Sequence, residues 1–235
     1  MKSVKAKINS LPSILFLSAI LIGTSTETAK ASAEKQLLVD AIKTYSSISS
    51  QEDIKSRLRK QETTIRKVDE ILELHAATDI GLKILLEGDF GNFNIENVRN
   101  KYLQELISFN LKTCESSPSF SCLGFVSLDN GMKACQNPTQ FSNLLNSSNN
   151  FKNAYRIFRS QGDAKRYELG VLSGYRNCAN NAGSDFGKDY MNSRLIQVLL
   201  DNKDEKKAVG ITQNMKTPLF KLLSAADIRI SQGKY

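Results

Sequence analysis

Four cysteines and one histidine are the residues whose types could carry nucleophilic or metal chemistry. A cysteine nucleophile needs a nearby imidazole, and His75 is the sole imidazole in the chain. It falls on the apolar side of a helical pattern, where a packed histidine is the ordinary occupant. The cysteines Cys114, Cys122, Cys135 and Cys178 are separated by seven, twelve and forty-two intervening residues, which fits no usual zinc-ligand spacing. The sequence therefore yields no catalytic residue, no metal ligand and no cofactor. The four thiols read instead as two disulfides, for which three pairings exist. Joining Cys114 to Cys122 would close a short loop, and joining Cys135 to Cys178 would tie two later helices. Each closure would contribute about 2 to 4 kcal/mol through the unfolded chain.

Acidic pairs are the next candidates. Asp69, Glu70 and Glu73 share faces of one predicted helix, as two carboxylates of a glycosidase would have to share a cleft. The expected occupant of that pattern is a solvated charged face. Asp-Phe-Gly occurs at Asp89 and at Asp185, without the glycine-rich loop and catalytic-loop residues of a kinase. Ser231 and Lys234 match Ser-x-x-Lys without its companion motifs. The densest basic stretch, Lys55 to Lys67, is interrupted by Glu62 and has no interleaved aromatics, so no nucleic-acid groove is expected.

The N-terminus supplies the address that makes disulfides reasonable. Lys2, Lys5 and Lys7 precede an apolar run from Leu11 to Gly23, and Ala31-Ser32-Ala33 offers small residues for cleavage, so residues 1–33 read as a secretory signal. Cleavage would change the formal charge from +8 to +5, a mildly basic balance with no concentrated block. No later apolar stretch reaches membrane-spanning length, so no membrane insertion is expected after cleavage, and the location is periplasmic or secreted. Asn146-Ser147-Ser148 is a glycosylation triplet that matters in a eukaryotic pathway alone.

Apolar periodicity places helices along nearly the whole mature chain. The first runs over 34–48. A second, roughly 35 residues long, is capped by Ser50 with Asp53 and continues through Ile54, Leu58, Ile65, Val68, Leu72, His75 and Leu82 to Leu86. It stops at Gly88-Asp89-Phe90-Gly91-Asn92. A helix over 95–112 buries Tyr102, Leu103, Leu106 and Ile107, and 113–120 is the linker candidate. Beyond it, 122–135 reads as helix, with a hairpin turn at Asp129-Asn130-Gly131 as the competing assignment. Further helices are expected over 138–160, 164–180, 186–200, 204–211 and 218–232. The class is all-α, with a long N-terminal hairpin or bundle over 34–113 and shorter antiparallel helices over 121–235, or a short α-solenoid, held by two disulfides.

Self-comparison at an offset of 71 aligns Ala154, Ile157, Ser160, Gln161 and Gly162 with Ala225, Ile228, Ser231, Gln232 and Gly233. Asn202-Lys203-Asp204 follows Leu195, Val198 and Leu199 in a third helix end of similar kind. Leu169 and Gly170, with Ala182 and Phe186, stand at four of the eight signature positions of a tetratricopeptide repeat. Residues 138–235 in this respect resemble tetratricopeptide-like helical repeats, although Arg166, Ser173, Asp189 and Arg194 depart from the pattern, and Gly183 and Gly187 would weaken the second helix. The resemblance implies binding of another protein along a concave face. The resulting expectation is an exported, non-catalytic protein-protein interaction module whose partner is another protein. The alternatives are a helical adhesin or minor-pilin-like subunit of a secretion apparatus, a carboxylate-dependent hydrolase, and a carrier of a small apolar ligand.

Overall fold

A computed structural model describes residues 33–74, 78–86 and 88–234. The expected signal at 1–33, apart from its last residue, and His75 lie outside the described residues. Residues Ala33–Tyr235 form one compact unit. Among the described residues the chain forms ten helices and one small hairpin: α1 Ala33–Ser46, α2 Ile54–Leu74, α3 Asp79–Leu86, β1 Asp89–Phe90, β2 Phe93–Asn94, α4 Ile95–Ser116, α5 Ser121–Ala134, α6 Phe141–Ser160, α7 Ala164–Asn181, α8 Asp185–Asp201, α9 Glu205–Gln213 and α10 Pro218–Ser231. The protein is all-α.

Local chemistry explains where these helices begin. The long second helix expected from the apolar pattern is two helices, because Thr78 Oγ1 accepts from the Gly81 amide at 3.2 Å and starts α3 afresh. Its N-terminal cap is Asp53, whose carboxylate accepts from the Ser56 amide at 3.0 Å, and not the Ser50 expected to cap it. Glu52 closes the preceding turn by accepting from the Ser49 amide. Residues 88–94 do more than stop α3. Asp89 pairs with Asn94 and Phe90 with Phe93 across a two-residue loop, and Gly91 takes the positive φ (69°) that such a loop needs at its first position. Asn94 then caps α4 by accepting from the Asn97 amide. The linker expected at 113–120 is helical as far as Ser116, leaving a short connection across which Cys114 and Cys122 are joined. Asp129-Asn130-Gly131, the competing hairpin signal, lies inside α5.

The helix ends that resemble one another in sequence also share a geometry. Gly162, Lys203 and Gly233 have φ of 75°, 63° and 66°. In each, the following amide donates to the carbonyl five residues back: Asp163 to Phe158, Asp204 to Leu199 and Lys234 to Arg229. That is the hydrogen-bond pattern of a left-handed C-cap, and it accounts for the recurring Gly or Lys and the polar residues around it.

The centre of the fold is α7, which is enclosed on most sides through its middle turns and buries Tyr167, Leu169, Val171, Leu172, Tyr175 and Cys178. Helices α4, α5, α6 and α8 pack about it; α1, α2 and α3 extend this assembly from α4, while α9 and α10 cover α8 and α9 returns to α2. Close approach among α5, α6 and α7 is set by glycines. The ring of Phe151 on α6, fully buried, occupies the space that side chains at Gly131 and Gly174 would fill, and Phe158 does the same at Gly124. One turn beyond Gly131 and Gly174, Cys135 and Cys178 join α5 to α7 with their Cα atoms 5.5 Å apart. Tyr175 stacks edge-on against Phe151 at 5.1 Å and donates its hydroxyl to the Ser148 carbonyl. Asn146-Ser147-Ser148 therefore lies within α6, with Ser147 and Ser148 buried, and not in a surface loop.

A methyl group at Gly131 would overlap Phe151, whereas one at Gly210 on α9 meets nothing within 4 Å. Gly131→Ala is expected to lose about 1 to 3 kcal/mol in urea unfolding by overpacking. Gly210→Ala is expected to gain about 0.5 to 1 kcal/mol through helix propensity. Equal behaviour of the two variants would show that Phe151 does not fix the spacing of these helices.

Candidate functional site

Of the three pairings open to the four cysteines, the structure has Cys114 with Cys122 and Cys135 with Cys178, and none of the four is free. The acids expected on one solvated face of α2 are divided by the fold. Glu70 is exposed, while Asp69 is buried and meets Arg99 of α4 at 2.5 Å. Asp69 leaves that face because it occupies the apolar stripe of α2 beside Ile65, Val68 and Leu72, and its partner is thirty residues away. Arg99 is likewise embedded in the stripe Ile95, Val98, Tyr102, Leu103, Leu106 and Ile107. A charge within an apolar helical stripe was the signal, one on each helix, that the two belong together.

The pair belongs to a wider ionic cluster. Arg99 also donates to Glu96 at 3.2 Å, and Arg176 of α7 stands 3.6 Å from Asp69. Burial alone would raise the Asp69 pKa, but the cations Arg99, Arg176, Lys207 and Arg66 outweigh it and hold the carboxyl below its ordinary value. Arg176 is shifted down, by desolvation first and by Arg99 second. Glu168, at the edge of the cluster, is shifted up by burial with Asp204 adding to it. With two guanidinium groups set against Asp69 and Glu96, this arrangement is a charge-balanced tie between α2, α4 and α7 rather than a proton-transfer site. Among the described residues no group of His, Cys, Asp and Glu side chains is placed to hold a metal ion.

The basic stretch of α2 is similarly engaged in structure. Arg57 pairs with Glu105 at 3.5 Å, Lys60 with Glu52 at 2.5 Å and Arg66 with Glu62 at 2.7 Å. Two adjoining depressions of about 440 and 600 Å³ lie where Ile54 meets Phe109, walled in part by Arg57, Glu105 and Lys112. Both open to solvent and neither is an enclosed apolar cavity of the kind a lipid-like cargo would occupy.

The feature that does stand out is apolar and outward-facing. Phe141 at the start of α6 and Phe186 at the start of α8 are 45% and 46% exposed, and their rings touch at 5.5 Å between centroids. Phe186 stacks in turn on the buried Phe220 of α10, 5.1 Å away. From α10 itself Leu219, Leu222, Leu223 and Ile230 project into solvent, Leu222 by 71%. The helix is held in place by its other face, where Phe220, Ser224 and Ile228 are buried, and by Asp189 of α8. The buried Asp189 carboxylate accepts from the amides of Lys216 and Thr217 at 2.9 and 2.6 Å, fixing the chain just before α10 begins.

The second Asp-Phe-Gly thus acquires a structural part: Asp185 pairs with Lys216 at 3.2 Å, Phe186 forms the aromatic patch, and Gly187 lies in the first turn of α8 capped by Ser184. The first is the β1 hairpin. Of the repeat-signature residues, Leu169 and Gly170 are buried in α7, Ala182 ends that helix and Phe186 opens the next, so the last two do not share a helix. Asp189, which departs from the signature, is the residue that anchors α10. Sequence periodicity located α10 but could not expose its leucines, since an apolar helix reads the same whichever side its neighbour takes.

Compared with known protein families, curated proteins and solved structures, the chain matches none of them. No helix among the described residues is long and apolar enough to cross a membrane.

Opposite pH responses should distinguish the buried Asp69 from the half-buried Glu168. Asp69, with its lowered pKa, contributes stability that is present above the ordinary carboxylate range and lost as pH falls through its folded value. Asp69→Asn is therefore expected to be destabilised at pH 7, with the deficit shrinking on acidification. Glu168, with its raised pKa, costs stability as pH rises through its folded value, so Glu168→Gln is expected to be the more stable protein at pH 7 and equal to wild type in acid. Urea unfolding midpoints across pH 3 to 8 would check both, and parallel curves for the two variants would contradict the assignment.

Proposed function

We propose that this chain is an exported, non-catalytic interaction module that docks another protein through the face made by Phe141, Phe186, Leu219, Leu222, Leu223 and Ile230. One observation carries the reading: apolar side chains from three helices are exposed together on a framework tied by packed aromatics, buried ion pairs and two disulfides. Large apolar groups gathered in this way are the ordinary mark of a protein contact surface, because leaving them in water costs about 25 cal/mol per Å². Export is supported by the basic, apolar and small-residue segments of 1–33 together with the disulfides, which persist in oxidising compartments.

The test has two arms, both on the full chain produced in its own host. Alkylation and mass spectrometry of the purified protein should find four oxidised cysteines and an N-terminus close to Glu34. Photo-crosslinking from position 222 or 186 should give a discrete adduct with one other protein, and the adduct should disappear in Phe141→Ser with Leu223→Asp while helicity and melting temperature stay unchanged. A reduced, unprocessed protein would end the export reading. Loss of no adduct in the double variant would end the docking one.

A further inference from the structure

We infer that the docked partner presents an α-helix, its apolar seam laid along α10 and its flanks acidic; this rests on the docking reading above and gives the partner its chemistry. The seam is defined by Leu219, Leu223, Ala226 and Ile230, all exposed and spaced four, three and four residues apart. Such spacing keeps side chains on one line of a helix and is the geometry by which a second helix packs, with the knobs of one entering gaps of the other. Ala226 opens such a gap midway along the seam, between Leu222 and Leu223 on one side and Ile230 on the other. Three intervals of this kind extend roughly 17 Å along the helix axis, close to the length of a short partner helix. Helix α10 is thus apolar on two sides, one buried against α8 and one open, which is the composition of a helix lying between two layers.

Charge selects the partner. Around the seam stand Lys216, Arg229 and Lys234, all exposed, against Asp227 as the one acid of α10, whereas Lys221, two residues from both Leu219 and Leu223, lies on the opposite side and donates to the Gln213 carbonyl. Lys216 is paired with Asp185 but keeps 73% of its side chain in solvent. Two copies of α10 packed on each other would bring these cations together, which opposes self-association. An acidic helix would find complementary charge at the rim and an apolar core between, as helix-in-groove recognition requires. A small central residue such as Ala226 admits another helix closely, a feature that contact with a lipid surface does not call for.

Two synthetic three-heptad peptides with the same leucine seam, one flanked by glutamates and one by lysines, serve as probes against the full mature protein in fluorescence anisotropy. The glutamate peptide is expected to bind at least about tenfold more tightly than the lysine peptide at low salt. Reversal of charge in Lys216→Glu, Arg229→Glu and Lys234→Glu combined should invert that order, and Leu223→Asp should abolish binding of both with an unchanged circular-dichroism melt. Equal affinity for the two peptides, binding of neither, sedimentation as a dimer that Leu223→Asp dissolves, or binding to phosphatidylglycerol vesicles without peptide binding would each overturn the inference. If crosslinking from position 222 still captures one protein while the peptides are indifferent to charge, the partner's chemistry is wrong and the docking surface stands. If crosslinking fails as well, the surface itself is wrong.

Discussion

The spacing of the central helices depends on a single ring. Phe151 has no room of its own on α6; it exists in the fold because α5 and α7 each present a glycine, Gly131 and Gly174, where any larger residue would collide with it. One turn further along both helices the Cys135–Cys178 bond joins the same two walls. The aromatic wedge holds α5 and α7 at a distance set by the thickness of a ring, and the disulfide prevents them from parting. Interiors packed at crystalline density transmit such a constraint outward. The positions of α4 and α8, which lean on α7, follow from it.

Ionic contacts connect this centre to the N-terminal helices in a different way. Asp69 and Arg99 are removed from water on facing helices, and Arg176 brings the central helix into the same cluster. Buried charges of this sort are poor sources of net stability, because desolvation offsets most of their attraction. Their effect is on register. An α2 shifted by one residue along α4 would bury Asp69 without a cation, a far more costly state than the native one. The polar seam continues toward the start of α2, where Gln61 and Arg57 both reach Glu105.

At the opposite end the fold leaves apolar surface uncovered. The buried Asp189 carboxylate and the stack of Phe186 on Phe220 fix α10 to α8, so that Leu219, Leu222 and Leu223 are presented by a rigid helix and not by a frayed terminus. Side chains held in this manner have little conformational freedom left to lose. The ionic cluster and the apolar face are therefore separate devices. The first secures the arrangement of helices, and the second is apolar surface that this arrangement leaves in water.

The amino-acid sequence by itself determined the all-α class, the places of nearly all the helices and the helix ends closed by Gly162 and Gly233, because apolar spacing and capping chemistry act within a few residues. It also determined that four cysteines would pair, though three pairings were open. What it could not show was which side of an element faces a neighbour. Asp69 looked like a surface acid until Arg99, thirty residues away, was placed against it, and the break between α2 and α3 was hidden because an apolar pattern can pass through a capped interruption without changing period. The tertiary structure alone decided that Phe151 sits between two glycines, that Asp189 holds the chain just ahead of a helix begun twenty-nine residues later, and that the leucines of α10 remain exposed. Each of these depends on segments distant in sequence meeting in space, and a periodicity confined to one helix carries no information about that meeting.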